Sequence, residues 1–166
     1  MSASLGRTTP RRMASGARLV ALAIVVVVVD QATKAMAPWL ASWALAAQVM
    51  AVTNAEFMLG VAAASQLVTV IVAAVMLVAF GAYTWRLAGA GRLSWWVPAL
   101  LIGGAVSNLA DRVVFGAVRD FLVTPWAIIN LADVAVVIGL VAYIYSRVRC
   151  AVRARFSRGP VAAGTV

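Results

Sequence analysis

Five carboxylates are the only acidic side chains in this 166-residue sequence: Asp30, Glu56, Asp111, Asp120 and Asp133. Each lies in a short polar run of an otherwise apolar chain. The runs read Asp30-Gln31-Ala32-Thr33-Lys34, Asn54-Ala55-Glu56, Asn108-Leu109-Ala110-Asp111-Arg112, Arg119-Asp120-Phe121 and Asn130-Leu131-Ala132-Asp133. With no histidine and a single cysteine, His-based triads are excluded, and zinc or di-iron sites lack the imidazole and thiolate ligands they need. A Ser/Lys dyad would have to use Lys34, the only lysine, and nothing in the sequence brings a serine such as Ser42 to it. Paired carboxylates remain. When two share a site, like-charge repulsion keeps a proton on one while the other stays ionised. Such a pair can activate a water and protonate a leaving amide, which is aspartic peptidase chemistry.

Helical spacing sorts these residues into faces. Asn108 and Asp111 are three apart, Asn108 and Arg112 four, Asn130 and Asp133 three, and Asp30 and Lys34 four, so each group occupies one side of a helix. Plainer readings exist for every group taken singly. Asp30 with Lys34 makes an intrahelical ion pair, Asp111 with Arg112 a helix-terminal one, and Asp133 with Asn130 a helix N-terminal cap. None of these requires three Asp-bearing segments to converge at one depth, and a charged side chain costs several kcal/mol at bilayer depth unless it is put to use there.

The elements that must carry these residues are membrane spans. Hydrophobic residues make up 64% of the chain and charged ones 11%, and the mean hydropathy is +0.99, so the solvent of this protein is mostly lipid. Four stretches are long enough to cross a hydrocarbon layer of about 30 Å at about 1.5 Å per residue, near 19–37, 67–85, 95–113 and 127–146. The expected fold is therefore all-α, four transmembrane helices with a small outward-facing interfacial segment. The expected membrane domain occupies 18–148, between basic tails at 1–17 and 149–166. The first span follows a basic leader, and Ala35-Met36-Ala37 resembles a cleavage site. Asp30 and Lys34 inside it, with three further spans following, mark it as retained.

Charge sets the orientation. Arg7, Arg11, Arg12, Arg18, Arg86, Arg92, Arg147, Arg149, Arg153, Arg155 and Arg158 flank the spans on one side, against Lys34, Arg112 and Arg119 on the other. Because Lys and Arg are retained in the cytoplasm, both termini should be cytoplasmic and the acidic cluster should face outward. Trp39, Trp43 and Trp126 mark the outer interface, and Trp85, Trp95 and Trp96 the inner one. The net charge of +9 is thus explained by topology, and no nucleic-acid partner is expected. Residues 38–66 are too interrupted to span and too apolar to float free, so they should lie along the interface, with a short strand at 51–53. Residues 114–126 read as a compact turn returning Asp120 toward the fourth span.

Three ordered motifs on these spans resemble one family, the bacterial lipoprotein signal peptidases (signal peptidase II). They are Asp30-Gln31-Ala32-Thr33-Lys34, then Gly103-Gly104-Ala105-Val106-Ser107-Asn108-Leu109-Ala110-Asp111-Arg112 with Gly116, Val118, Asp120 and Phe121, and finally Asn130-Leu131-Ala132-Asp133. The resemblance covers roughly residues 18–148. It implies that Asp120 and Asp133 form a catalytic dyad, that Asp30, Lys34, Asn108, Asp111 and Asn130 support it, and that Asn54 and Arg112 anchor the substrate backbone. It further implies a monomer in the bacterial cytoplasmic membrane that needs no cofactor or metal. The implied substrate is the signal peptide of a prolipoprotein already carrying diacylglycerol, met among membrane lipids at the outer face. Departures mark the chain as divergent. Ala55-Glu56-Phe57-Met58-Leu59-Gly60 replaces a small, glycine-containing run, Ser107 replaces a common glycine, and the stretch from Asp120 to Asp133 is short. The region after Asn54 is expected to read its substrate differently. Two other functions fit the cluster in principle. A proton-coupled transporter would place its acids near the midplane and tend to show internal repeats, and a non-catalytic lipoprotein-binding factor would tolerate loss of both aspartates.

Overall fold

An apolar segment crossing a bilayer must satisfy its backbone polar groups internally, and four stretches of this chain do so as helices. The computed structural model describes residues 10–42, 49–54 and 65–157. Along them run α1 (Pro10–Ala41), β1 (Val49–Asn54), α2 (Gln66–Gly89), α3 (Trp96–Phe115), β2 (Val118–Val123), β3 (Ile128–Ile129) and α4 (Leu131–Ser157). All four helices are long and apolar enough to cross a membrane. Their outer faces carry exposed aliphatic side chains such as Val28, Val78 and Val141, as expected where the solvent is hydrocarbon.

The helices differ from the expected spans at their ends. α1 begins at Pro10, within the stretch read as a tail, and α4 continues through 149–157. Arg and Ala are the commonest residues of both extensions, and they propagate a helix readily. α4 in turn starts at Leu131 rather than near 127. Ile128 and Ile129 are instead taken up by a strand, pairing with Val123 and Leu122.

α3 is the central helix and packs against each of the other three. Adjacent glycines make this possible on two sides. A methyl group at Gly103 would lie 2.8 Å from the Ala23 carbonyl oxygen of α1, and one at Gly104 would lie 2.5 Å from the Ala132 carbonyl oxygen of α4. In lipid, where apolar side chains gain little by meeting one another, such backbone-close contacts at small residues hold helices together. One turn beyond these glycines α3 carries Ser107 and Asn108, and two turns beyond it carries Asp111, so that this polar face meets α1 and α4. At the other end of the bundle, Leu87, Leu93, Val97 and Leu101 form an apolar core, and Phe80 and Tyr83 meet the Tyr143 ring edge-on.

α3 ends at Gly116, whose φ of 77° is left-handed and whose N–H donates to the Arg112 carbonyl at 3.1 Å. A glycine takes that conformation without the Cβ clash of other residues. Gln66 at the start of α2 donates to the same carbonyl at 3.0 Å, tying α2 to the end of α3. The chain then enters β2, the middle strand of a three-stranded antiparallel sheet ordered β1-β2-β3. The segment read as a turn is thus largely a strand, and the strand expected at 51–53 is longer, Val49–Asn54. Its ladder sets Val52 opposite Asp120, Thr53 opposite Arg119 and Asn54 opposite Val118. A tight turn joins β2 to β3: Thr124 N–H donates to the Ala127 carbonyl at 2.9 Å, and Thr124 Oγ1 accepts the Ala127 N–H at 3.0 Å. The exposed Trp126 sits at its tip.

Candidate active site

The sheet lies where α1 and α3 end and α2 and α4 begin, and every described carboxylate is at that end. Asp30 and Lys34 occupy one face of α1, both side chains fully buried, with Lys34 Nζ 2.7 Å from Asp30 Oδ2. The intrahelical pair read from the sequence is present, and it is only part of a larger arrangement. Ser107 Oγ donates to Asp30 Oδ2 at 2.7 Å, and the Ala132 backbone N–H donates to Asp30 Oδ1 at 2.8 Å. Lys34 reaches across to Asp111 Oδ2 at 3.0 Å and donates to Asn108 Oδ1 at 3.0 Å. Removing one partner from such a buried network leaves a charge uncompensated, at a cost of about 3–5 kcal/mol.

Asp111 on α3 is filled on both oxygens. Oδ1 accepts Gln31 Nε2 at 2.9 Å and Arg119 Nη2 at 2.8 Å, and Oδ2 accepts Lys34 and the Arg119 backbone N–H at 3.0 Å. Its side chain is buried, and it ties α1, α3 and β2 together.

Asn130 and Asp133 cap α4 reciprocally. Asn130 Oδ1 accepts the Asp133 N–H at 2.8 Å, and Asp133 Oδ2 accepts the Asn130 N–H at 3.3 Å. This is the capping box of a helix N-terminus, so the plain capping reading of the pair is realised. The two residues nevertheless have capacity left. Asn130 Nδ2 donates to Asp120 Oδ1 at 2.6 Å and to Asn108 Oδ1 at 3.1 Å, and Asn108 Nδ2 donates to Asp133 Oδ1 at 2.8 Å. The Asn108 amide can take only one orientation, because Lys34 is purely a donor and therefore faces the oxygen, leaving the NH₂ for Asp133. Asp120 on β2 and Asp133 on α4 are thus each gripped by one of two asparagine amides that are themselves hydrogen-bonded. Asp120 is buried, 4% exposed, and Asp133 is half-buried.

Arg112 is also half-buried. Its Nη1 donates to the Asn108 carbonyl at 3.4 Å, and its charge lies within electrostatic range of Asp133, Asp120 and Asp111. Four carboxylates (Asp30, Asp111, Asp120, Asp133) therefore face three cations (Lys34, Arg112, Arg119), and 4 − 3 leaves one negative charge in excess among the described residues. One proton on the cluster would make it neutral.

Of the residues singled out in the sequence, Asp30, Lys34, Asn108, Asp111, Arg112, Asp120, Asn130 and Asp133 come together. Asn54 is placed by its backbone at the end of β1, opposite Val118. The role expected of its side chain, and Glu56 with the rest of 55–64, lie outside the described residues. Three participants were not anticipated. Gln31 and Ser107 are neutral neighbours of residues that were singled out, and Arg119 sits in a segment that did not read as regular structure. Among the described residues no three His, Cys, Asp or Glu side chains are grouped to hold a metal ion.

Comparison with known proteins agrees with this architecture. The family described as signal peptidase (SPase) II matches residues 22–149. A lipoprotein signal peptidase of Janthinobacterium sp. (strain Marseille) is 44% identical over 63 residues, covering 35% of this chain and 38% of that protein. One of Rhodopseudomonas palustris (strain TIE-1) is 44% identical over 55 residues, covering 28% and 34%. The chain thus aligns with little more than a third of the length of these relatives. A solved structure described as a bacterial membrane enzyme, determined by the in meso method, superposes with a TM-score of 0.67 at 21% identity, covering 90% of this chain and 95% of that one. At that identity the likeness speaks for the fold.

Proposed function

We propose that this chain, which belongs to the signal peptidase II family, is an aspartic endopeptidase that removes the signal peptide from diacylglyceryl-modified prolipoproteins. The observation that carries the reading is the Asp120–Asn130–Asn108–Asp133 chain of hydrogen bonds. It holds two carboxylates on different elements at one place, at the end of the bundle rather than its midplane, which favours a peptidase over a transporter.

The chemistry follows from one shared proton. The ionised carboxylate takes a proton from water as the water oxygen bonds to the scissile carbonyl carbon, and the protonated carboxyl gives its proton to the carbonyl oxygen. The tetrahedral intermediate then collapses: a hydroxyl returns its proton to the second carboxylate as the C=O re-forms, the C–N bond breaks, and the nitrogen leaves with a proton given back by the first carboxyl. The charge count supports this protonation state, because a single proton neutralises the cluster in an environment where a net charge is costly. Asn108 and Asn130 orient the two carboxylates, while Asp30, Lys34 and Asp111 fix the helices and the strand around them. Arg112, whose charge reaches the same carboxylates, is assigned to the substrate backbone together with Asn54 at the end of β1, the roles that the family resemblance implies.

The division of basic residues supports a multi-pass protein of the bacterial cytoplasmic membrane with both termini in the cytoplasm and the site facing outward. Trp39 and Trp126 at the site end, with Trp85 and Trp96 at the other, accord with this. We take the working unit to be a monomer that meets its substrate from surrounding lipid. The test is incubation of the purified protein with a diacylglyceryl-modified precursor and its unlipidated twin. Cleavage of the first and not the second is expected, and no cleavage of either would end the proposal.

A further inference from the structure

Successive side chains of a strand point to opposite faces. On β2, Asp120 reaches Asn130 of α4, while Arg119 turns the other way, toward α1 and α3. Asp111 holds Arg119 at two points, accepting its backbone N–H on Oδ2 at 3.0 Å and Nη2 on Oδ1 at 2.8 Å. The same Nη2 donates to Gln31 Oε1 at 2.6 Å, and the guanidinium lies 4.1 Å from the centroid of the Phe115 ring. A carboxylate that grips both the main chain and the side chain of one strand residue prevents the strand from sliding or rolling.

The sheet itself supplies less of this constraint. The β1–β2 ladder shifts register between Val49 and Val52, and β2–β3 comprises two pairs. A slip of one residue would turn Asp120 to the opposite face. We infer that Arg119 is a positioning residue: its clamp on Asp111 and Gln31 sets the register of β2 and so holds the neighbouring Asp120 carboxylate at the site shared with Asp133. The inference rests on the aspartic peptidase reading and assigns work to a residue outside the hydrogen-bonded Asp–Asn chain.

Among the described residues, the side-chain hydrogen bonds of Arg119 all come from the single atom Nη2, and Nε is buried without a partner. One donor nitrogen is therefore enough, which makes R119K an informative conservative change and R119M a deletion of the donor. With the lipidated precursor, R119M should lower kcat on the order of 10- to 100-fold, the scale of a small misplacement of a reacting group, with KM within about twofold. R119K should recover most of the loss. Independently of activity, backbone amides of 118–123 should exchange hydrogen faster in R119M than in the unaltered protein, and return toward normal in R119K.

An unchanged kcat in R119M overturns the inference, and so does a raised KM at constant kcat, which would make Arg119 a substrate contact. Unchanged exchange at 118–123 overturns it as well. If R119M does not fold, R119K decides: kcat and exchange close to the unaltered protein support the clamp, and kcat as low as that of D120N overturns it. Should the unaltered protein fail to cleave, the peptidase reading falls, while the exchange comparison still decides whether Arg119 sets the strand.

Discussion

Asp30 Oδ1 accepts the Ala132 backbone N–H at 2.8 Å, so a carboxylate of the first helix completes the first turn of the last, 102 residues further along the chain. The other oxygen of Asp30 takes Lys34 and Ser107. One side chain thus joins α1, α3 and α4 immediately behind the residues proposed to do the chemistry, and several consequences can be measured.

Asp30→Ala should destabilise the protein by about 3–5 kcal/mol, because it strips the fully buried Lys34 of its nearest counter-ion and leaves two further donors unpaired. Asp30→Asn, which keeps an acceptor for the Ala132 N–H, should cost less and lower activity only in part. Thermal unfolding in detergent distinguishes them; an Asp30→Ala protein as stable as the parent would mean the network contributes nothing.

Asp120→Asn and Asp133→Asn should each abolish cleavage of a lipidated precursor while leaving the protein inserted and folded. Asparagine preserves the shape and much of the hydrogen bonding but cannot shuttle a proton. Gel assay of the precursor, with circular dichroism as the folding control, is the check, and near-normal turnover by either variant sinks the dyad.

If the two aspartates share one proton, the reactive species exists between their two macroscopic titrations. The rate should then fall on both the acidic and the alkaline side of an optimum. EDTA should leave that profile unchanged. Loss of activity with the chelator and recovery with a divalent ion would point to carboxylates holding a metal instead.

Gly104→Val should impair cleavage without altering any side chain of the polar network. Even a Cβ at this position would lie 2.5 Å from the Ala132 carbonyl oxygen and 2.7 Å from Val136 Cγ2, so α3 and α4 must separate. Overpacking of this kind costs about 1–3 kcal/mol. It acts one turn from Asn108 and against Ala132, the residue before Asp133, so kcat should fall more than the melting temperature alone would suggest. Equal kcat in the variant and the parent would show that the helix spacing is not critical.

Orientation is open to thiol labelling in a background lacking Cys150. Cysteines at Ser42 and Thr124 should react with an impermeant reagent from outside intact cells, and one at Ser157 should not. Labelling of the Ser157 position from outside would reverse the topology.

The helices were legible because lipid imposes both a length and an apolar composition on a span. The polar stripes were legible because Asp30 with Lys34, Asn108 with Asp111 and Asn130 with Asp133 keep helical spacing. The partners of each stripe were much less so. Sequence adjacency pairs Asp111 with Arg112, yet adjacent helix residues diverge by about 100°, and the groups that fill its oxygens are Gln31, Lys34 and Arg119. Val118-Arg119-Asp120-Phe121-Leu122-Val123 was read as part of a turn because Gly116 and Thr124-Pro125 bracket it. Its β-branched and aromatic residues, Val118, Phe121 and Val123, were the available sign of a strand. Ser107 and Gln31 gave no charge signal, and their roles depend on α1 meeting α3, which no local pattern encodes.

The spacing of Asp30 and Lys34 also bears on how the protein is made. Their ion pair closes within a single helix, over four residues, whereas Ser107, Asn108, Asp111 and Ala132, the other partners of the pair, all lie far downstream on α3 and α4. The nascent first helix therefore enters the bilayer with its two charges already neutralising each other. It remains a tolerable guest in lipid through the synthesis of most of the chain, until the later helices arrive to surround the retained pair with its remaining partners.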